Sequence, residues 1–136
     1  MLSLPDAAAI RAALHQPLPA RLHAILADEL ATAETCELQD LTYILVIQPG
    51  DTEEAIKDEI GWSPLVNPVE GTRFGTADFV PYWVAIEDLG GWYELIHAVS
   101  NDGFAYILLI EDAPGVSTDL LRMCRQYAEE AGVCGF

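Results

Sequence analysis

One histidine lies in a strand-like run, where its side chain could take part in proton transfer. Strand alternation along W-Y-E-L-I-H-A-V puts His97 on one face with Leu95 and Val99, and puts Glu94 and Trp92 on the other. A histidine on an apolar face can act as a general base or as a proton-linked switch. Because a neutral, hydrogen-bonded core histidine is more common, the pattern favours a structural role for His97.

The only arginine in the central third of the chain is a second candidate for ligand binding. Arg73 lies in the run G-T-R-F-G, and its guanidinium has the shape to hold a ligand carboxylate. Lone arginines commonly form charge pairs, and Glu70 and Asp78 lie close to Arg73 in sequence. We therefore favour an ion pair that fixes the loop over a ligand contact.

Arg73 belongs to a long irregular segment, residues 61–83, which contains three prolines, three glycines and five aromatic residues. Compact domains seldom contain so long a connection without a function, and the aromatic residues predict that it packs over the sheet. If the segment covers a pocket, the residues expected to contact a ligand or partner are Trp62, Arg73, Tyr82, Trp83 and His97.

Other residue types that support catalysis or metal binding lack the necessary spacing. The three cysteines and three histidines form no closely spaced ligand pairs, so we expect no metal. The turn Q-P-G-D-T has no lysine and does not match a phosphate-binding loop, so we expect no cofactor of that kind. Neighbouring carboxylates such as Glu53 and Glu54 point in different directions on a helix, which favours a solvated face.

Charge and composition exclude several classes of partner. The 22 acidic and six basic residues give a net charge of −16, which repels nucleic acid and anionic membranes. Ten of the carboxylates lie between Asp28 and Glu59, which predicts one strongly negative side. The longest apolar run is too short to cross a bilayer, and the start of the chain does not resemble an export signal. With an odd number of dispersed cysteines, this predicts a reduced, cytoplasmic protein.

Helix signals occur in four places. The Ser3 hydroxyl is expected to cap a short helix from Ala7 to Leu14, with Pro5 and Asp6 at its start, and apolar residues recur at helical spacing from Leu22 to Leu30. Asp51 and Glu54 resemble a capping box for a third helix that ends at Gly61. Ser117 begins a fourth, and Gly132 is expected to end it.

Three strands complete the pattern. The run from Leu41 to Ile47 is apolar and β-branched, which is typical of a strand covered on both faces. Trp92 to Ser100 and Phe104 to Ile110 are strand-like runs separated by N-D-G, which predicts a β-hairpin. The chain is therefore expected to be one domain, residues 1–136, of the α+β class. We predict a small, mainly antiparallel sheet with a C-terminal β-hairpin and helices packed on one face.

Four stretches carry a resemblance to known sequences: L-T-Y-I-L-V-I-Q-P-G-D-T, G-T-R-F-G, G-G-W-Y-E-L-I-H-A-V-S-N-D-G-F-A-Y-I-L-L-I-E-D and L-L-R-M-C-R-Q-Y-A. Together they cover most of the chain from Leu41 onward, and they resemble a group of short, acidic, uncharacterised bacterial proteins with no known activity. The resemblance implies a bacterial origin and assigns no ligand or catalytic residue.

Two hypotheses about function remain. The first is a non-enzymatic, acidic protein-interaction domain, in the manner of an inhibitor, antitoxin or immunity protein that binds a basic partner. The alternative is a small-molecule-binding protein or enzyme with a pocket under residues 61–83. The absence of a recognisable catalytic motif favours the first hypothesis.

Overall fold

The computed structural model describes residues 1–35, 42–99 and 104–134. Within these ranges the chain forms four helices and seven strands. In chain order they are β1 (Leu2–Leu4), α1 (Ala7–Ala13), α2 (Ala20–Thr35), β2 (Thr42–Ile47), α3 (Glu53–Ile60), β3 (Val66–Asn67), β4 (Thr72–Arg73), β5 (Ala85–Asp88), β6 (Trp92–Val99), β7 (Phe104–Glu111) and α4 (Thr118–Cys134).

Five strands form one mixed sheet in the order β1-β2-β7-β6-β5, and β3 and β4 form a small separate sheet. Strands β2 and β7 pair in parallel, whereas the other three pairings in the large sheet are antiparallel. This arrangement confirms the α+β class and the mainly antiparallel sheet.

The strand predicted from the L-T-Y-I-L-V-I run is β2, and five of its six residues are buried. Its neighbour β1 was not predicted, because the first residues were interpreted as a helix cap. Instead, Leu2–Leu4 pairs with β2, and the carboxylate of Asp6 caps α1 by accepting from the Ala9 amide at 2.9 Å. The cap prediction at Ser3 was therefore wrong by three residues.

Strands β6 and β7 pair antiparallel from Trp92 opposite Glu111 to Val99 opposite Phe104, as the two runs predicted. The N-D-G turn falls in residues 100–103, which lie outside the described ranges. The pair is followed by α4, which extends to Cys134, so the predicted stop at Gly132 was wrong. A tight turn at Gly90 and Gly91, both with positive φ, joins β5 to β6 and was not predicted.

Helices cover both faces of the sheet, in contrast to the prediction of one covered face. Alternate residues of β2 point to opposite sides. Ile44 and Val46 pack in a core cluster with residues of α1 and α2. Leu45 and Ile47 pack in a second cluster with residues of α3 and α4. The one-face prediction failed because the continuous apolar run of β2 requires cover on both sides, and one helical layer provides only one.

The irregular segment 61–83 belongs to the second cluster. Leu65, Phe79 and Trp83 are buried there against Leu95 of β6. The prediction that the segment packs over the sheet is thus confirmed, and its backbone is fixed beside α3.

Candidate functional site

Helix α3 and the segment that follows it form the region where the predicted site residues gather. Thr52 caps α3, because its hydroxyl accepts from the Ala55 amide at 3.1 Å. The predicted cap, Asp51, instead accepts from the Gln48 amide at 2.8 Å. Gly61 ends the helix with φ of +91° and donates to the Lys57 carbonyl, as predicted.

The guanidinium of Arg73 binds Glu53 through two hydrogen bonds of 2.7 Å, one to each carboxylate oxygen. The Ser63 hydroxyl donates to the same carboxylate at 2.6 Å. These hydrogen bonds to Arg73, with a smaller contribution from Ser63, lower the pKa of Glu53 to about 2. The structure therefore fastens β4 to α3 through a charge pair, but the partner is Glu53 and not the predicted Glu70 or Asp78.

A cavity of about 420 Å³ lies next to this ion pair. Its lining contains two carboxylates, two cations, one indole and several small side chains: Glu53, Glu54, Lys57, Gly61, Trp62, Ser63, Val66 and Arg73. The charges in the lining balance, and the guanidinium fork of Arg73 is already occupied by Glu53. The cavity is therefore a mixed polar and apolar depression without a free fork for a ligand carboxylate.

Four of the five predicted site residues meet in an aromatic cluster beside the cavity. The Trp62 ring lies 5.2 Å from Tyr82, 4.9 Å from Trp83 and 6.0 Å from His97, measured between centroids. Tyr82 stacks on His97 at 4.5 Å. Trp62 is the only member that also lines the cavity, so the structure separates Arg73 from Tyr82, Trp83 and His97.

His97 lies on the sheet face that strand alternation predicted, with Leu95, and opposite Tyr106 of β7. Its Nδ1 atom is buried and has no hydrogen-bond partner among the described residues. The imidazole is thus packed between aromatic rings, without the Nδ1 hydrogen bond that a neutral core histidine usually makes. The Ser63 hydroxyl is engaged with Glu53, so it is not paired with His97 as a nucleophile would be.

Sequence reasoning missed a group of exposed valines in this region. Val69, Val80 and Val84 are 77%, 50% and 54% exposed, and the only other large hydrophobic residue described as exposed is Met1. Asn67 holds two of them together, since its side chain donates to the Val80 carbonyl and accepts from the Val69 amide, both at 3.0 Å. In sequence these valines look like core residues, so no local pattern could have identified them.

The acid-rich stretch does not form one surface. Helices α2 and α3 contribute to different core clusters on opposite faces of the sheet. Glu37 and Asp40 of that stretch lie outside the described residues. The prediction of a single negative side was wrong because β2 crosses between the two helices and directs them to opposite faces.

Exposed carboxylates nevertheless occur on the same segment as the exposed valines and on α3. Glu70 and Asp78 are exposed on the segment itself, and Glu54 and Asp58 are exposed on α3. The cations of this region are Arg73, which is neutralised by Glu53, Lys57, and Arg122 of α4, which lies over the Phe74 ring at 5.4 Å and pairs with Asp119. The region therefore combines apolar side chains with excess negative charge.

No group of three or more histidine, cysteine, aspartate or glutamate side chains is placed to hold a metal ion in the described ranges. Over the same ranges, no helix combines the length and the apolar character needed to cross a membrane. Comparisons with protein-family models, with curated proteins and with solved structures found no match to this chain.

Proposed function

We propose that this protein is a non-enzymatic interaction domain that binds a basic protein partner. The contact region is the α3 surface, defined as α3 together with residues 61–84. The observation that carries the proposal is the pair of exposed valines, Val69 and Val80, that Asn67 holds together, with exposed carboxylates on the same segment and on α3. Apolar patches with polar rims are typical of protein-interaction sites.

The valines would supply the apolar contact of such an interface. Fully burying one aliphatic side chain of this size is worth roughly 1.5–2 kcal/mol. Because Asn67 holds the Val69 and Val80 backbones together, the two side chains are presented without a large ordering cost. The nearby Trp62 is half-buried and would give an aromatic contact at the edge of the same surface.

The carboxylates would favour a positively charged partner and increase the rate of association. A protein with a net charge of −16 attracts basic partners over a distance, and the effect weakens with salt. Glu54, Asp58, Glu70 and Asp78 provide the local part of this field. An inhibitor, antitoxin or immunity protein that binds a basic toxin or enzyme is the form of interaction domain that these charges suit best.

The alternative, a small-molecule-binding protein or enzyme with a pocket under residues 61–83, has the cavity beside Trp62 in its favour. Two observations weigh against it. His97 is not part of the cavity lining, and the Arg73 guanidinium is bound to Glu53. The interaction domain requires neither residue to be free, so it accounts for the geometry better.

Binding kinetics of surface variants would test the proposal once a partner is captured from the source cell at low salt. Val69→Ser with Val80→Ser should weaken binding at least tenfold, mainly through faster dissociation. Glu54→Lys with Asp58→Lys should slow association and reduce its salt dependence. Glu53 and Glu59 stay native, because they bind Arg73 and Tyr43.

Asp28→Lys is the matched control, because Asp28 is exposed on α2 on the opposite side of the sheet. It makes the same charge change as each substitution on α3. If the valine and α3 variants bind the partner like the native protein, or if Asp28→Lys alone weakens binding, the α3 surface is not the contact region.

A further inference from the structure

One buried carboxyl lies between the sheet and helices α1 and α2, on the face of the sheet opposite the α3 surface. The Glu94 side chain projects from β6 and is only 6% exposed. Its Oε2 atom has no hydrogen-bond partner among the described residues. Trp92 and Ile96 flank it on the same strand face and pack in the core cluster that α1 and α2 cover. Burying an acid there is costly unless it is neutral or paired.

The groups that face Glu94 are other acids. Glu29 of α2 forms a hydrogen bond with it, and Glu87 of β5 is its direct cross-strand neighbour. Its neighbour on β7 is Leu109, which is apolar. The arginine of α2, Arg21, donates instead to the Leu89 carbonyl. Glu94 therefore has two acidic neighbours and no counter-ion among the described residues, and these acids do not form a metal ligand set.

A hydrogen bond between two carboxyl groups requires a proton, because two carboxylates can only accept. Burial, the hydrogen bond and charge of Glu29, and the charge of Glu87 raise the pKa of Glu94 to about 9. A protonated Glu94 can therefore donate to Glu29, so that one proton joins β6 to α2.

We propose that the Glu29–Glu94 pair is a proton-dependent contact that holds the layer of α1 and α2 against the sheet and releases it in alkaline solution. When water or hydroxide removes the shared proton, two carboxylates face each other in an apolar setting. Each must then regain water, and the two repel.

We expect α1 and α2 to separate from the sheet before the strands separate from one another. Strand β6 is bonded through its backbone to β5 on one side and to β7 on the other. Helix α2 is attached to the same face by side chains, chiefly the buried Leu22, Ile25 and Leu26. Local opening selects the part with the fewest backbone hydrogen bonds to its neighbours, so α2 and the adjoining α1 should separate before the sheet does.

Hydrogen exchange measured by mass spectrometry from pH 4.5 to pH 10 would test this on the whole chain. Comparing variants at equal pH cancels the intrinsic dependence of exchange on hydroxide. Peptides from residues 7–35 of the native protein should match those of Glu94→Gln at pH 4.5, exchange progressively faster than them as the pH rises, and exchange at least tenfold faster above pH 9. Peptides from α3 and α4 should stay protected in both.

A second variant leaves the core side chain in place. Glu29→Lys gives Glu94 a counter-ion, so it should also abolish the alkaline opening. Asp28→Lys makes the same charge change one residue away at an exposed position, and it should open as the native protein does. The proposal is overturned if the native α2 peptides stay protected at pH 10, if every peptide loses protection together, or if Asp28→Lys protects α2 as well as Glu29→Lys does.

Discussion

Replacing Arg73 by lysine would test whether the Arg73–Glu53–Ser63 network fastens the irregular segment to α3. The substitution keeps the positive charge but removes the planar fork. In the native protein each Arg73 terminal nitrogen binds a different Glu53 oxygen at 2.7 Å, and Ser63 adds a third hydrogen bond. An ammonium can replace one of the two arginine contacts.

The expected loss is about 1 kcal/mol of unfolding free energy at pH 7. A hydrogen bond to a charged group contributes about 1.5–3 kcal/mol when it is well shielded. Here the side chains of Arg73 and Glu53 are 47% and 31% exposed, so solvent screens the pair. Exposed ion pairs contribute about 0–1 kcal/mol, and bidentate geometry places this one at the upper end of that range.

The pH dependence gives a second, independent measure. The pKa of Glu53 is lowered from 4.5 to about 2, so the fold gains stability from the ionised carboxylate above pH 4.5 and loses it as the pH falls towards 2. At pH 3 roughly half of the contribution should be gone. The difference between the native protein and Arg73→Lys should shrink accordingly.

Urea unfolding at pH 7 and at pH 3 measures both quantities, with Arg11→Lys as the control. Arg11 makes a single contact of 3.5 Å to Glu34, and both side chains are about half exposed. Its substitution should change stability by less than about 0.3 kcal/mol. Equal stability of Arg73→Lys and the native protein at pH 7, or a difference that does not change with pH, would refute the reasoning.

Three further predictions concern stability and reactivity. Glu94→Gln should stabilise the fold by about 3 kcal/mol at pH 7. The pKa of Glu94 is raised from 4.5 to about 9, so the stability of the native protein falls as the pH rises through that window. In urea titrations the stability gain of Glu94→Gln should therefore vanish near pH 4. A gain that stays constant with pH would contradict the prediction. Gly115→Ala should lower the melting temperature more than Gly61→Ala, since both have positive φ but only the Cβ at 115 would meet Pro49, at 3.1 Å. Cys124 is fully buried, which raises its thiol pKa, so its peptide should stay unlabelled by iodoacetamide at pH 8 until urea unfolds the protein; labelling at the rate of a free thiol would show that this core opens.

The elements with strong local signals were predictable from sequence. The continuous apolar run of β2 and the two runs of β6 and β7 identify strands, because they are short, rich in β-branched and aromatic residues, and bounded by turn residues. Gly61 identifies a helix end through its positive φ. By contrast, β1 has three residues and becomes a strand only by pairing with β2, so its local sequence contains no evidence of it.

In the candidate site, too, side-chain contacts that depend on long-range packing could not be predicted from local sequence. Aromatic residues in an irregular segment were enough to predict that it packs over the sheet, but not that Trp62, Tyr82 and Trp83 gather near His97. The partner of Arg73 could not be identified from the sequence, because Glu70 and Asp78 are closer to it along the chain than Glu53 is. Only the packing of β4 against α3 brings Glu53 within hydrogen-bond distance of Arg73. Strand alternation placed Glu94 on the correct face of β6. Its burial depends on the position of α2, which cannot be predicted from the sequence of the strand alone.

The division of the acidic residues between two faces separates the two proposals experimentally. Carboxylates on the α3 surface are exposed, and their effect on a basic partner is through a screened field that salt weakens. Glu94 of the Glu29–Glu94 pair is buried in the layer under α2, so salt should alter the pair's behaviour much less than pH does. Consequently, raising the salt concentration at pH 7 should impair partner binding and leave α2 protected, whereas raising the pH at low salt should open α2 first. A response of both properties to the same variable would mean that the two faces are coupled through the sheet, and that the α3 surface cannot be treated as independent of the helices on the other side.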